Sequence, residues 1–263
     1  MLKRTLLATL LASTGALLAT GAHAQGVAAL VGDSTIVMID SAAKSAGKSW
    51  QVSGLAGKVL GIDVRPSDGL LYAVIDDGSI VTLDPATGKA TAKAKLESTL
   101  PAGVTATVDF NPVADRLRLM GSDGTNLRVN VDDGKVIRDG NLNFSGTDTM
   151  KEMKPTVVAG AYTNAVKGAK ETALFDIDAS GTLLKQAPPN DGVLTTVGKL
   201  GVPGKGVAFD IQSDGAGGNA AWLIAGDTLY KVDLASGAAS AQGKISGLKG
   251  QVRDMAVLPA KAM

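Results

Sequence analysis

The sequence contains no cysteine, and its single histidine is His23. Beyond residue 23 there is therefore neither thiolate nor imidazole to work with. That excludes Ser-His-Asp and Cys-His catalysis and thiolate chemistry, and it removes the usual donors of zinc and copper. Any metal must be a hard one held through oxygen, and any acid–base step must use Asp, Glu, Lys or Tyr. Aromatic residues are few, with two Trp, three Tyr and four Phe, so stacking platforms for bases or sugars are hard to build. Neither sign of charge dominates, since 26 Lys and Arg face 25 Asp and Glu. A balanced surface speaks against nucleic acid or an anionic membrane as the main partner. A chain of 263 residues is long enough to fold on its core alone, without disulfides.

The N-terminus reads as an export signal over residues 1–24. Lys3 and Arg4 precede the apolar stretch "LLATLLASTGALLAT" (residues 6–20), and Ala22-His23-Ala24 forms an A-x-A cleavage site. The expected mature chain starts at Gln25, carries no histidine, and resides in the periplasm or outside the cell. No second apolar run of about 20 residues follows, so no membrane span is expected after cleavage. Losing Lys3 and Arg4 turns the formal net charge from +1 to −1.

What is abundant is glycine, 33 in all, set among Val, Ala, Thr and Asp-x-Gly in the manner of many short strands and tight turns. The stretch "VTLDPATGKA" (residues 81–90) reads as such a hairpin, and it recurs. Residues 61–96, "GIDVRPSDGLLYAVIDDGSIVTLDPATGKATAKAKL", align with residues 107–142, "TVDFNPVADRLRLMGSDGTNLRVNVDDGKVIRDGNL", at a constant offset of 46. Asp63 then falls on Asp109, Pro66 on Pro112, Asp84 on Asn130 and Gly88 on Gly134. Each unit divides into four strands. Two looser units follow, opening at "VVAGAYTN" (157–164) and "GVAFDIQ" (206–212). Residues 27–54 supply three strands without a first, and "VRDMAVLP" (252–259) supplies a first strand with nothing after it. Those remnants complete one more unit, which is what a closed ring requires. The expected fold is an all-β, five-bladed β-propeller with four-stranded blades. It forms a single domain over residues 25–263, closed by the C-terminal strand joining the N-terminal blade. A β-sandwich or barrel with similar turns is the alternative. In "DPATG", Asp84 caps backbone N–H groups, Pro85 presets φ, and Gly88 takes the left-handed position. One carboxylate per turn is too sparse for a dedicated calcium loop.

The strings "LDPATG", "DFNPVADRLRLMGSDGTNLRVN", "AYTN" and "QAPPNDGVLTTVGKLGV", in that order, resemble the secreted bacterial family known as domain of unknown function 4394. The likeness covers nearly all of the mature chain. It implies an exported, propeller-like protein. The family has no established activity, so the resemblance brings no catalytic residues.

Two groups of residues ask for more than a folding role. Arg116 and Arg118 alternate with leucines and share one strand face, with Asn126 and Arg128 on the next strand. They read either as an inter-blade Arg–Asp network using Asp109, Asp115, Asp123 or Asp132, or as a site for a carboxylate, phosphate or acidic sugar. The second group comes from the first strands, which line a propeller's channel: Asp63, Arg65, Asp109, Asn111, Asn164 and Asp210, with Arg253 and Asp254. Their carboxylates can serve as an acid–base pair, hold one calcium ion, or make the same backbone bond in successive blades; the repeat equivalence of Asp63 and Asp109 favours the last. The reading that follows is an exported, non-catalytic binding or scaffold propeller. It has no catalytic residue and no bound cofactor apart from calcium as an option, and its partner is a small molecule or an envelope protein. The alternative is a periplasmic lactonase- or glycosidase-like hydrolase built on the channel carboxylates.

Overall fold

The computed structural model describes residues 26–259. The signal peptide expected over residues 1–24 lies outside the described residues. What is described is five antiparallel sheets arranged as the blades of a ring. Blade 1 is split, with β21 (Val252–Val257) innermost, then β1 (Gly26–Val31), β2 (Thr35–Asp40) and β3 (Ser45–Gln51). Blade 2 runs outward through β4 (Val59–Val64), β5 (Leu71–Ile75), β6 (Ser79–Leu83) and β7 (Ala90–Lys95). Blade 3 has β8 (Ala106–Asn111), β9 (Arg116–Gly121), β10 (Asn126–Val129) and β11 (Val136–Arg138). Blade 4 has β13 (Val157–Tyr162), β14 (Leu174–Asp178), β15 (Thr182–Gln186) and β16 (Val193–Lys199), and blade 5 has β17 (Val207–Ser213), β18 (Asn219–Ala225), β19 (Thr228–Val232) and β20 (Ala239–Lys244). The pairing of β21 with β1 closes the ring.

Blade 4 departs from the repeat. A short strand, β12 (Asn143–Phe144), runs parallel to β16 as a fifth outer strand, and a 3-10 turn over Pro189–Asp191 precedes β16. The repeat pattern carried no sign of β12, because two residues are too few to show a period.

Burial within a blade follows from its position in the ring. The second strand is covered on both faces by its neighbours, so β5 (LYAVI) and β14 (LFDID) are buried throughout. The outermost strand has solvent on its rim, and β7 (ATAKAK) is mostly exposed. Apolar side chains from adjacent blades interdigitate. Tyr72 of blade 2 meets Phe110 of blade 3 edge-on, with centroids 5.3 Å apart, inside a cluster that includes Leu117, Leu119 and Leu127. Burying each such side chain contributes about 1.5–3 kcal/mol. In blades 1, 2, 4 and 5 the register between the third and fourth strands shifts once, a repeated irregularity that adds twist at the rim.

The recurring hairpin has the chemistry its sequence implies. Asp84 accepts bonds from the Ala86 N–H and the Thr87 hydroxyl. Gly88 sits at φ +71°, and a Cβ there would meet the Cβ of Trp50 at 2.6 Å. Asp233 and Asn130 cap their turns in the same way. These polar groups are consumed by turn closure.

Candidate functional site

The five inner strands pack successively around an axis. Each has one edge turned to that axis with no strand beside it, so its N–H groups need other acceptors. Aspartates supply them, each reaching to the next blade. Asp63 accepts from Phe110 N (2.7 Å), Asp109 from Tyr162 N (2.9 Å), Asp210 from Val257 N (2.6 Å) and Asp254 from Ile62 N (2.8 Å). The second oxygens of Asp63, Asp210 and Asp254 accept the N–H of the residue that follows each on its own strand. Asp63, Asp109 and Asp210 occupy one repeat position, and blades 4 and 1 have Ala161 and Ala256 there. Between blades 4 and 5 the link is made by amides instead: Asn164 and Asn219 exchange bonds, and Ala165 N donates to the Ser213 hydroxyl.

The same aspartates also form a cluster. Carboxylate oxygens of Asp63, Asp109 and Asp210 lie within 4.8 Å of one another. All three line the floor of a cavity of about 990 Å³ at the end of the channel where the inner strands finish, with Asp68, Lys167 and Asp214 at its edge. Among the described residues none of the three, nor Asp254, is in a salt bridge. Burial raises all four carboxyls above the ordinary carboxylate range. Asp63 goes well above it through burial and the charge of Asp210, and Asp109 through burial and the charges of Asp63 and Asp210. Asp210 is pushed up to about 6 and Asp254 to about 8, burial being the main cause in both. Thr107, two residues before Asp109 and on the same side of β8, is 4 % exposed, and its hydroxyl has no hydrogen-bond partner. Oxygen donors thus gather on the axis without a cationic side chain among them. Such a donor set suits a hard cation such as calcium.

The other residues singled out from the sequence lie elsewhere. Arg65 is not in the channel. It ties blade 2 to blade 3, forking onto Asp115 (2.7 Å) and Asp132 (2.9 Å), and its guanidinium lies 5.9 Å from the Tyr72 ring centroid. Asn111 caps its own loop through Val113 N and Ala114 N. The three arginines of "DRLR" and "NLR" do not act as one group. Arg118 is 1 % exposed. It donates to the Tyr162 hydroxyl, the Asn126 side-chain oxygen, Asp139 (2.6 Å) and Asn190. Arg128 forks onto the same Asp139. Asn126 is fully buried and donates to the carbonyls of Gly140 and Pro189. Arg116 reaches only backbone carbonyls beside it. With Arg128 and Lys135 it borders a cavity of about 260 Å³ on the outer part of blade 3.

Three residues of weight escaped the sequence reading. Asp139 is the counter-charge of both Arg118 and Arg128, yet the sequence offers other aspartates nearer to each of them. One of those, Asp123, caps its own turn at Thr125. Asn190 reaches Arg118 across 72 positions of sequence. Asp176, on β14, is fully buried with neither oxygen hydrogen-bonded, and burial raises it to about 8. Its place in "TALFDID" gives no signal, because the period of two there says only that it shares a face with Leu174.

Comparison with known proteins agrees on fold and is silent on activity. A crystal structure of a structural genomics protein of unknown function from Bacteroides thetaiotaomicron VPI-5482 superposes with a TM-score of 0.56 at 17% identity. It covers 89% of this chain and 62% of that one, so this chain spans under two thirds of its length. A protein of unknown function from Bacteroides caccae aligns over 89% of this chain and 98% of its own at 12% identity, with a TM-score of 0.46. No curated protein matches. The family model described as a domain of unknown function (DUF4394) matches residues 35–256. With that match spanning most of a five-bladed ring, the chain belongs to the DUF4394 family.

Proposed function

We propose that the protein is an exported, non-catalytic binding propeller whose ligand enters the acidic mouth of the channel over a hard cation. The observation that carries this is the convergence of Asp63, Asp109 and Asp210 within 4.8 Å at the floor of the large cavity. Four buried carboxylates on one axis repel one another and lose hydration, and a bound divalent cation offsets both costs. The unpartnered Thr107 hydroxyl is a further oxygen beside them. Calcium, which accepts six to eight oxygens in flexible geometry, is the ion to test first. The non-catalytic part of the reading rests on hydrogen bonding. Asp63, Asp210 and Asp254 have both oxygens engaged by backbone N–H groups, which holds them in place and weakens them as nucleophiles or bases.

A hydrolase remains the second reading, because raised carboxyl pKa values beside a cavity are also the mark of acid–base sites. One set of measurements separates the two. Chelator-treated protein is titrated with calcium by calorimetry and by thermal melting, and assayed against chromogenic lactones and aryl glycosides. Calcium binding that disappears in Asp210→Asn, with no turnover, is the expected result. Turnover abolished by Asp63→Asn or Asp109→Asn replaces the binding reading with the hydrolase. Absence of any calcium effect removes the cation.

A further inference from the structure

The opposite end of the channel, where the inner strands begin, has a different chemistry. A cavity of about 330 Å³ there is lined by Leu60, Ala106, Val158, Val207 and Arg253. These five are one repeat position. Each lies three residues before the Asp63, Asp109, Ala161, Asp210 or Ala256 position defined by the inter-blade backbone bonds. Four blades place an apolar side chain at this mouth, and blade 1 alone places an arginine. The repeat cannot account for that arginine, since the fold is satisfied by Leu, Ala or Val at the same place.

Arg253 is also held ready. Its Nη1 donates to the carbonyls of Gly32 (3.0 Å) and Val59 (3.2 Å), which fixes the guanidinium, while among the described residues Nε and Nη2 have no hydrogen-bond acceptor. Its nearest carboxylate, Asp33 at 3.8 Å, sits closer to Lys58, at 2.9 Å. Lys205 lines the same cavity, is exposed, and takes part in no salt bridge. No carboxylate lines the cavity. The same cavity also presents the side chains of Thr105, Ser122, Thr156 and Gln251. An apolar ring with uncharged polar groups around it, one fixed, planar cation and a second flexible one is the make-up of a site for an amphipathic anion.

We infer that this basic mouth binds a small organic carboxylate, with the apolar ring around its hydrocarbon body and Arg253 and Lys205 on its carboxylate. A carboxylate matches the two free nitrogens of one guanidinium edge-on. The apolar ring favours a monoanion with a hydrocarbon body over a strongly hydrated phosphate dianion. The channel is then a two-ended one, acidic where the inner strands finish and cationic where they start.

The test uses benzoate as probe and benzyl alcohol as its neutral counterpart, in calorimetric titrations at low salt. Benzoate is expected to bind the wild-type protein, with benzyl alcohol weaker by about tenfold or more. Arg253→Leu gives blade 1 the residue blade 2 already has. It should weaken benzoate by about tenfold or more, the loss of a charge-assisted pair. Lys205→Ala removes a solvent-exposed chain that the fold does not use, and should weaken benzoate severalfold. Asp210→Asn, at the far mouth, should leave benzoate binding unchanged, so the result stands apart from the fate of the cation proposal. Equal binding of benzoate and benzyl alcohol overturns the inference, as does full affinity in both Arg253→Leu and Lys205→Ala, or no benzoate binding at millimolar concentration. If Arg253→Leu fails to fold, Lys205→Ala and the alcohol decide the matter.

Discussion

Two regions of this propeller bury charge, and they balance it in different ways. Between blades 3 and 4, Arg118 and Arg128 share Asp139, and the remaining donors of Arg118 end on Tyr162, Asn126 and Asn190. Two cations share one hydrogen-bonded carboxylate, and the Arg118 charge also acts on the buried Asp176. Along the axis, four aspartates are buried with backbone N–H groups as partners and, among the described residues, no salt bridge. The first arrangement is a lock between blades that uses up its donors. The second has no counter-charge and is held partly by protons instead, since burial raises all four carboxyls, and a cation that replaces those protons gains most by binding there.

The largest expected effect breaks the lock. Arg118→Ala leaves Asp139 with Arg128 alone, takes a donor from Tyr162, Asn126 and Asn190, and opens a large buried space. It should destabilise by about 3–5 kcal/mol in chemical denaturation, the usual cost of breaking a buried pair from one side. Calcium affinity per folded molecule should not change. A loss below about 1 kcal/mol would mean that the network is not the tie between these blades. The opposite sign is expected on the axis. Asp210→Asn keeps an oxygen for Val257 N and removes a charge held at a raised pKa of about 6, while its amide group no longer accepts from Ile211 N. The lost bond offsets part of the gain, so without calcium at pH 8 it should be more stable than wild type by on the order of 1 kcal/mol. With calcium present the order should reverse, because only the wild type gains the ion.

The pH dependence sharpens the contrast. Asp210, Asp254 and Asp176 are raised to about 6, 8 and 8 in the folded state, against about 3.9 when unfolded. The folded protein therefore binds more protons over that interval, and its stability must fall as pH rises through 6 and 8. Asp115 and Asp132 behave oppositely. Their hydrogen bonds to Arg65 hold them low, so their contribution is present above about pH 4 and is lost below it. Melting temperature in chelator should peak in mildly acid buffer and decline toward pH 9, and calcium should flatten the decline. A flat profile in chelator would show that the axial carboxyls are not perturbed. The smallest effect is expected at Arg116, which touches only neighbouring carbonyls. Arg116→Ala should change stability by under about 0.5 kcal/mol. If phosphate raises the wild-type melting temperature and this variant loses that response, the shallow cavity on blade 3 is an anion site; an equal response in both places the anion elsewhere.

Much of the architecture was legible because it is repeated. The offset that lays Asp63 on Asp109 also lays turn on turn, and a split set of strands at the two ends can close only as a ring. The partners within the ring were far less legible. "DRLR" and "NLR" announce three arginines, but period-two reasoning put them on one patch, whereas burial separates Arg118 from Arg116. Asp139 and Asn190 come to Arg118 from different blades, and Asp176 became a buried carboxyl with no partner only when blade 4 closed on blade 3. Arg253 stood out only once the other four residues at its repeat position were known to ring a mouth.

By itself the sequence determined the strand period, the turn chemistry of Asp84 and Gly88, the number of blades and the lack of thiol or imidazole in them. All of these are local or repeated, and so they are written in neighbouring residues. The tertiary structure alone decided which aspartates meet on the axis, which arginines are neutralised, and which end of the channel is acidic and which cationic. Ring closure brings together residues far apart in the chain, such as Asp254 and Ile62, 192 positions apart, and Arg253 and Gly32, 221 apart. The energy of a buried charge depends on those neighbours in space, which no spacing along the chain records.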